Sequence, residues 1–336
     1  MTPQGPIVCF GEILLRLASR RGEMLLQNPL LDVCVGGAEA NVAVMLARLG
    51  QPARMASVVP DNDLGYSARA ELRRHGVDVD HVSIAKGRMG LYFLQPGAGA
   101  RAPKVIYDRK ESAFAEADFA AIDWPAILNG ASRLHLSGIT VALNPSCARA
   151  AITAAKTARE LGVAVSFDGN FRSTLWGDRR GEAGPLLAQI IEQADLAFVD
   201  HRDLNLMLEG NWQLWNDLEN AAAAAFATWP KLKRIASTTR QTWSADEITA
   251  GASLLTPGGR HNVDVRVITG VTDRVGTGDA FAAGLVFGLH RGMSDAEALD
   301  FAFANFVLKH SITGDVNLAS LEDIEAFLTG EKDIRR

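Results

Sequence analysis

Apolar positions follow two rhythms along this chain. Ile7-Val8-Cys9-Phe10, after Pro6 and stopped by Gly11, is a short continuous apolar run of the kind that forms a buried strand, and a second run covers 13–17. Over 38–49 the period lengthens. Val42, Met45, Leu46 and Leu49 recur at three- and four-residue spacing and Gly50 follows, which predicts an amphipathic helix ended by a glycine. A strand over 55–59, a turn at Pro60-Asp61-Asn62-Asp63 and a helix to about His75 continue the alternation. The rhythm breaks once, between about 87 and 108, where 90–94 and 104–107 read as two strands around Gly97-Ala98-Gly99 with no helix between them, a hairpin. It resumes with a strand over 133–137, a helix over 146–161, a strand over 163–167, a helix near 185–193 and a strand over 196–199. A strand over 234–237, an irregular antiparallel-type stretch to Val267 and helices from Asp279, Ser294 and Ser320 complete the chain.

Strands alternating with helices need right-handed crossovers, so the expected class is α/β, with a mainly parallel central sheet flanked by helices on both faces. The hairpin, joined by 13–17 and 31–35, is expected to form a small second sheet over one edge, a lid drawn from about 12–35 and 88–110. The absence of a repeat period excludes a solenoid, and 1–336 reads as one domain carrying that lid.

Composition narrows the function classes. Apolar residues make up 48% of the 336 positions and charged residues 22%, which supplies a sizeable core and no disorder signature. The 34 basic residues fall short of the 39 acidic ones, a net charge of −5 that argues against a nucleic-acid partner. No apolar stretch is long enough to span a membrane and the first run is too brief for a signal peptide, so a soluble, cytoplasmic protein is expected. Cys9, Cys34 and Cys147 lie far apart without a Cys-x-x-Cys pair, which points to buried free thiols.

The strongest local signal for chemistry is Asp273-Arg274-Val275-Gly276-Thr277-Gly278-Asp279-Ala280-Phe281. Two glycines allow a tight turn that gathers backbone N–H groups where a helix begins, which makes an anion site. Asp279, in the first turn, is expected to stay ionised beside the helix N-terminus and so to take a proton from a hydroxyl; a plain helix-capping carboxylate is the competing reading. Gly36-Gly37-Ala38-Glu39-Ala40-Asn41 opens the first long helix, where the glycines allow close approach and Asn41 offers both a donor and an acceptor; an ordinary loop-to-helix junction is the alternative.

Together these two segments resemble the paired signatures of the ribokinase-like (PfkB) carbohydrate kinases, and the resemblance spans nearly the whole chain. Tyr107-Asp108-Arg109, Leu136-Ser137-Gly138-Ile139, Ser166-Phe167-Asp168-Gly169-Asn170-Phe171-Arg172 and Lys309-His310-Ser311-Ile312-Thr313-Gly314-Asp315 are similar to the family's 2-keto-3-deoxygluconate kinase branch. The resemblance implies ATP-dependent phosphorylation of a sugar acid at its terminal hydroxyl, with Mg²⁺ and room for a monovalent cation. Asp279 would be the base, with Gly276, Thr277 and Gly278 as the anion hole. Gly36, Gly37, Asn41, Tyr92, Tyr107, Arg109 and Arg172 would hold the sugar. Asp168, Asn170, Thr238, Arg240, Gly276, Gly278 and Asn305 would hold the nucleotide, and Asp203 would serve the metal through water. A homodimer meeting through the lid is the implied assembly.

Where ribokinases and fructokinases carry an Asp five residues after the first strand's glycine, this chain has Arg16. With Arg109 and Arg172, that cation would suit a substrate carboxylate, since a guanidinium grips one through paired hydrogen bonds; a surface arginine at a strand end is the competing reading. Other departures are Arg274 and Val275 in place of two threonines, Asp200-His201-Arg202-Asp203 where Asn-x-x-Glu is usual, and Ser237-Thr238-Thr239-Arg240 where a Lys-x-Gly strand is usual. They leave open a kinase for neutral ketoses, or a catalytically silent sugar- or nucleotide-binding protein. The His201-Arg202-Asp203-Leu204-Asn205 run is a chance match to the protein-kinase catalytic loop, and no Walker loop occurs. The aromatic-rich stretch over 212–229 reads as a helix packed by aromatics.

Overall fold

Each run read as a strand in the sequence is a strand in the computed structural model, which describes residues 5–209 and 215–331. Among the described residues thirteen strands form two sheets: β1 (Ile7–Phe10), β2 (Leu14–Ala18), β3 (Asp32–Gly36), β4 (Ala53–Pro60), β5 (Val82–Ala85), β6 (Gly90–Gln95), β7 (Lys104–Asp108), β8 (Arg133–Ser137), β9 (Ala164–Asp168), β10 (Leu196–Phe198), β11 (Arg234–Thr242), β12 (Glu247–Thr256) and β13 (Gly259–Thr269). The large sheet has the order β13-β12-β11-β10-β9-β8-β1-β4-β5. It is parallel from β11 to β5, and β12 and β13 extend one edge antiparallel.

Central β1 shows why a continuous apolar run was needed. Its four side chains are fully buried and alternate between the two faces: Ile7 and Cys9 join one core, Val8 and Phe10 the other. Phe10 meets Phe114, Phe119 and Trp124 at ring-centroid distances of 4.8 to 5.7 Å. The first core lies under the helices Ala38–Arg48, Thr277–His290 and Asp295–Lys309, and the second under Pro145–Glu160 and Ala183–Ile191. The pair Thr277–His290 and Asp295–Lys309 packs closely at Gly284, where an added Cβ would lie 2.8 Å from the Cα of Ala302.

The small sheet has the order β3-β2-β6-β7, as the hairpin and the two flanking runs suggested. Its register carries information the pattern lacked. β2 runs antiparallel to β3 and parallel to β6, so Cys34, Arg16, Tyr92 and Tyr107 form one cross-strand row. Leu14, Ala18, Tyr92 and Leu94 make a small apolar cluster that touches Val275 of the glycine turn. Strand β5 and the short helices Trp124–Leu128 and Gly138–Leu143 were not expected, because runs of four to six apolar residues carry too few positions to fix a period. Trp212 lies outside the described residues; the helix Leu218–Thr228 and buried Trp229 follow it.

Candidate active site

The C-terminal ends of the parallel strands face the small sheet across a cleft of about 680 Å³. This is the end at which open α/β sheets bind ligands, because loops and helix N-termini converge there. Gly37, Asn41, Tyr92, Tyr107, Arg109, Asp168, Asn170, Arg172, Thr238, Arg240, Gly276, Thr277, Gly278 and Asp279 all line it, so most residues singled out in the sequence come together from six separate stretches of the chain.

Gly276 has φ of 77°, the left-handed conformation that starts the helix Thr277–His290, and a Cβ there would lie 1.7 Å from the carbonyl oxygen of Asp315. Both demands exclude any side chain. The first turn of that helix lines the cleft, and nothing lies within 4 Å of where a Cβ of Gly278 would be. Asp279 is partly buried and accepts a hydrogen bond of 2.7 Å from Nδ2 of Asn41. Its pKa differs from the sequence expectation. Burial, reinforced by the charges of Asp315 and Glu39 and opposed by the Asn41 bond, pushes the carboxyl up to about 7, so desolvation outweighs the hydrogen bond that favours the ionised form. The Oδ1 of Asn41 is buried without a protein partner, an acceptor available to a ligand hydroxyl.

Arg16 corrects the electrostatic expectation. It is 2% exposed, with Nη1 lying 2.7 Å from Asp273 and 3.0 Å from Asp315. Tyr92 donates to the other oxygen of Asp315 at 2.6 Å. Asp273 in turn accepts from the backbone N–H groups of Val275 and Gly314. Two strands of the small sheet are therefore bolted to the glycine turn, and the guanidinium is spent on protein carboxylates. Arg109 is also compensated: its Nε donates to Glu12 at 2.7 Å and Nη2 pairs with the same oxygen, leaving Nη1 without a partner among the described residues.

Among the described residues Arg172 and Arg240 face the cleft with no hydrogen bond or ion pair, and the Arg274 side chain bonds Thr242 and the Ser244 carbonyl. Burial holds Arg240 below the usual arginine range and the charge of Arg172 adds to the effect, as expected where guanidinium groups converge in one cleft. Asp168 lines the cleft, and burial with the charges of Asp279 and Asp203 pushes it up to about 8.

Besides Arg16, three expected site residues lie outside the cleft lining. Gly36 backs onto the Asp315 carboxylate, outside the cleft lining. Asn305 is 2% exposed and donates to the Ala280 carbonyl at 2.6 Å, tying two helices together in place of a nucleotide contact. Asp203 accepts from the Asp200 N–H at 3.1 Å; burial, then the charge of Asp200, raises it to about 7. Asp273, Asp315, Glu12 and Arg274 were not assigned in the sequence. All four stand in or beside quoted motifs, but a carboxylate's partner across 299 residues leaves no local trace.

Comparison with known proteins places these features in context. The model of the pfkB family carbohydrate kinases matches residues 5–318. The 2-dehydro-3-deoxygalactonokinase of Haloferax volcanii is 31% identical over 328 residues, covering 96% of each chain. The crystal structure of 2-dehydro-3-deoxygluconokinase from Thermotoga maritima superposes with a TM-score of 0.90 at 36% identity, over 97% of this chain and 100% of that one. A fructokinase variant from Vibrio cholerae, in its fructose-, ADP- and potassium-bound form, shares the fold with a TM-score of 0.79 at 22% identity, over 98% of this chain and 99% of that one.

Proposed function

The chain belongs to the pfkB family of carbohydrate kinases, and from that premise we propose that it transfers the γ-phosphoryl group of ATP to the terminal hydroxyl of 2-keto-3-deoxygluconate, giving the 6-phosphate. The observation that carries this reading is Asp279, held by Asn41 beside the Gly276–Gly278 turn. The Asp279 carboxylate takes the hydroxyl proton as that oxygen bonds to phosphorus, the bond from the γ-phosphorus to the bridging oxygen breaks, and ADP leaves. First-turn N–H groups meet the charge on the transferred phosphoryl, and positioning supplies most of the acceleration. Arg172 and the free Nη1 of Arg109 take the sugar carboxylate, with Asn41 and Gly37 on hydroxyls. Arg240, Thr238, Asn170 and Arg274 take the nucleotide. Asp168, with Asp203 through water, would hold Mg²⁺: the charges of Asp279 and Asp203 help to raise Asp168, and a bound cation would relieve that repulsion. Bound there, Mg²⁺ would neutralise phosphate charge. The small sheet serves as a lid on a single domain, excluding water that would compete as acceptor.

A second reading, a kinase for neutral ketoses, is favoured by the pairing of Arg16 and Arg109 with protein carboxylates. A coupled assay for ADP across 2-keto-3-deoxygluconate, its galactonate epimer, fructose and ribose separates the two. The expected result is a preference for the acids, with Arg172→Ala raising KM for them about tenfold or more and leaving neutral sugars little changed. Preference for fructose with no effect of the substitution would establish the second reading, and absence of ADP with every sugar would reject both.

Because the base must be deprotonated to act, kcat/KM is expected to fall about tenfold per pH unit below a midpoint near 7. A profile flat down to pH 5 would remove Asp279 from that role.

The outer side of the lid supports a homodimer. Leu30, Val33 and Ile106 are 45 to 59% exposed, and β3 and β7 present open edges. Light scattering should give twice the chain mass, reduced to one by Val33→Lys with Ile106→Lys; a wild-type monomer at micromolar concentration would overturn the assembly.

A further inference from the structure

At the opposite end of the sheet from the kinase groups lies a second cleft, of about 1010 Å³, formed where β8, β9, β10 and β11 begin. Arg133, Lys156, Arg159, Lys231, Lys233 and Arg234 line it against three carboxylates, Glu160, Glu192 and Asp195. Three of the eight lysines of an acidic chain gather there.

Internal pairing does not use up this charge. Asp195 is shared by Arg133 at 2.9 Å and Arg159 at 3.7 Å, and also accepts from the backbone N–H of Val165 at 2.8 Å. The Nη1 of Arg133 is buried with no partner. Arg234 pairs with Asp295, and Lys231 donates to the neutral amide of Gln193 at 2.8 Å. Among the described residues neither Lys156 nor Lys233 has a carboxylate partner. The helices Pro145–Glu160 and Ala183–Ile191 end beside the cleft, and their C-terminal carbonyls favour nearby cations. That accounts for Arg159, in the last turn of the first of them. It leaves the two unpaired lysines and the orphaned Arg133 donor unexplained. A concave surface with an excess of one sign of charge, here six cations against three carboxylates, concentrates ions of the other sign, and a buried unpaired guanidinium N–H gains a full hydrogen bond when an oxyanion meets it.

We propose that this cleft binds a small, multiply charged oxyanion, carrying phosphoryl or carboxylate groups, at a site separate from the kinase cleft. Inorganic pyrophosphate and citrate are the probes, since they carry these two group types on compact frames. Calorimetric titration at low salt is run on the full chain, on Lys156→Glu with Lys233→Glu, and on Arg240→Glu, which disables anion binding in the kinase cleft. Wild type should bind pyrophosphate, and Arg240→Glu should retain one equivalent. The double charge reversal should weaken that equivalent at least tenfold while leaving kinase turnover without added pyrophosphate unchanged, which shows that it folds. Equal binding of citrate assigns recognition to charge alone, and weaker binding assigns it to phosphoryl groups; either supports the site. Loss of all pyrophosphate binding in Arg240→Glu, unaltered binding in the double variant, or no binding by wild type would overturn it.

Discussion

Replacing Asp279 with Asn is expected to lower kcat by about 10³-fold or more with little change in KM, because the substitution keeps shape and the Asn41 contact but removes the proton acceptor. Loss confined to kcat identifies a group acting in the transition state; a rise in KM alone would make Asp279 a binding residue only. Stability supplies an independent check, and its sign follows from the raised pKa. The native state holds the Asp279 proton up to about pH 7, whereas the unfolded chain releases it near the ordinary carboxylate value of about 4. Native stability therefore falls as pH rises through that window. Asn carries no such linkage. The variant should match wild type near pH 4 and exceed it at pH 8, as urea unfolding at the two pH values will read. A variant less stable at pH 8 than wild type would mean that the carboxylate is favourably held, against the desolvation argument.

Replacing Arg16 with Met is expected to cost about 3–5 kcal/mol of stability, the range for breaking a buried ion pair, since Asp273 and Asp315 would be left without their cation. Burial already outweighs the guanidinium and raises the Asp315 carboxyl, so its removal pushes that group further toward the protonated form. Turnover should fall too, because Asp315 touches the position of Gly276 and Asp273 caps the same turn. Arg16→Lys should recover part of the stability. The contrasting outcome is specific: a variant as stable as wild type, with KM raised only for acidic sugars, would restore Arg16 as a substrate ligand. Denaturant unfolding beside a KM and kcat series separates the two.

Much of the site was legible because its chemistry is local. The glycine turn and Asp279 share one segment, and Gly37 with Asn41 share another, each at a helix start whose period can be read directly. Asn305 misled because a polar residue in a helix near these motifs looks the same from sequence whether it faces a ligand or another helix. The arginines misled for a related reason: sequence counts a charge and does not say which carboxylate neutralises it.

Sequence alone determined the α/β class, the order of the longer strands and helices, the hairpin that interrupts them and the two helix starts that line the cleft. These depend on periodicity and on backbone freedom at glycine, which are properties of neighbours in the chain. Tertiary structure decided the register that sets Arg16 beside Tyr92, the burial that moves Asp279 toward neutrality, and the division of guanidinium groups between Arg16 and Arg109, engaged by protein carboxylates, and Arg172 and Arg240, left facing the cleft. Coulomb energy and desolvation depend on distance through space, and the partners that fix them here stand up to 299 residues apart.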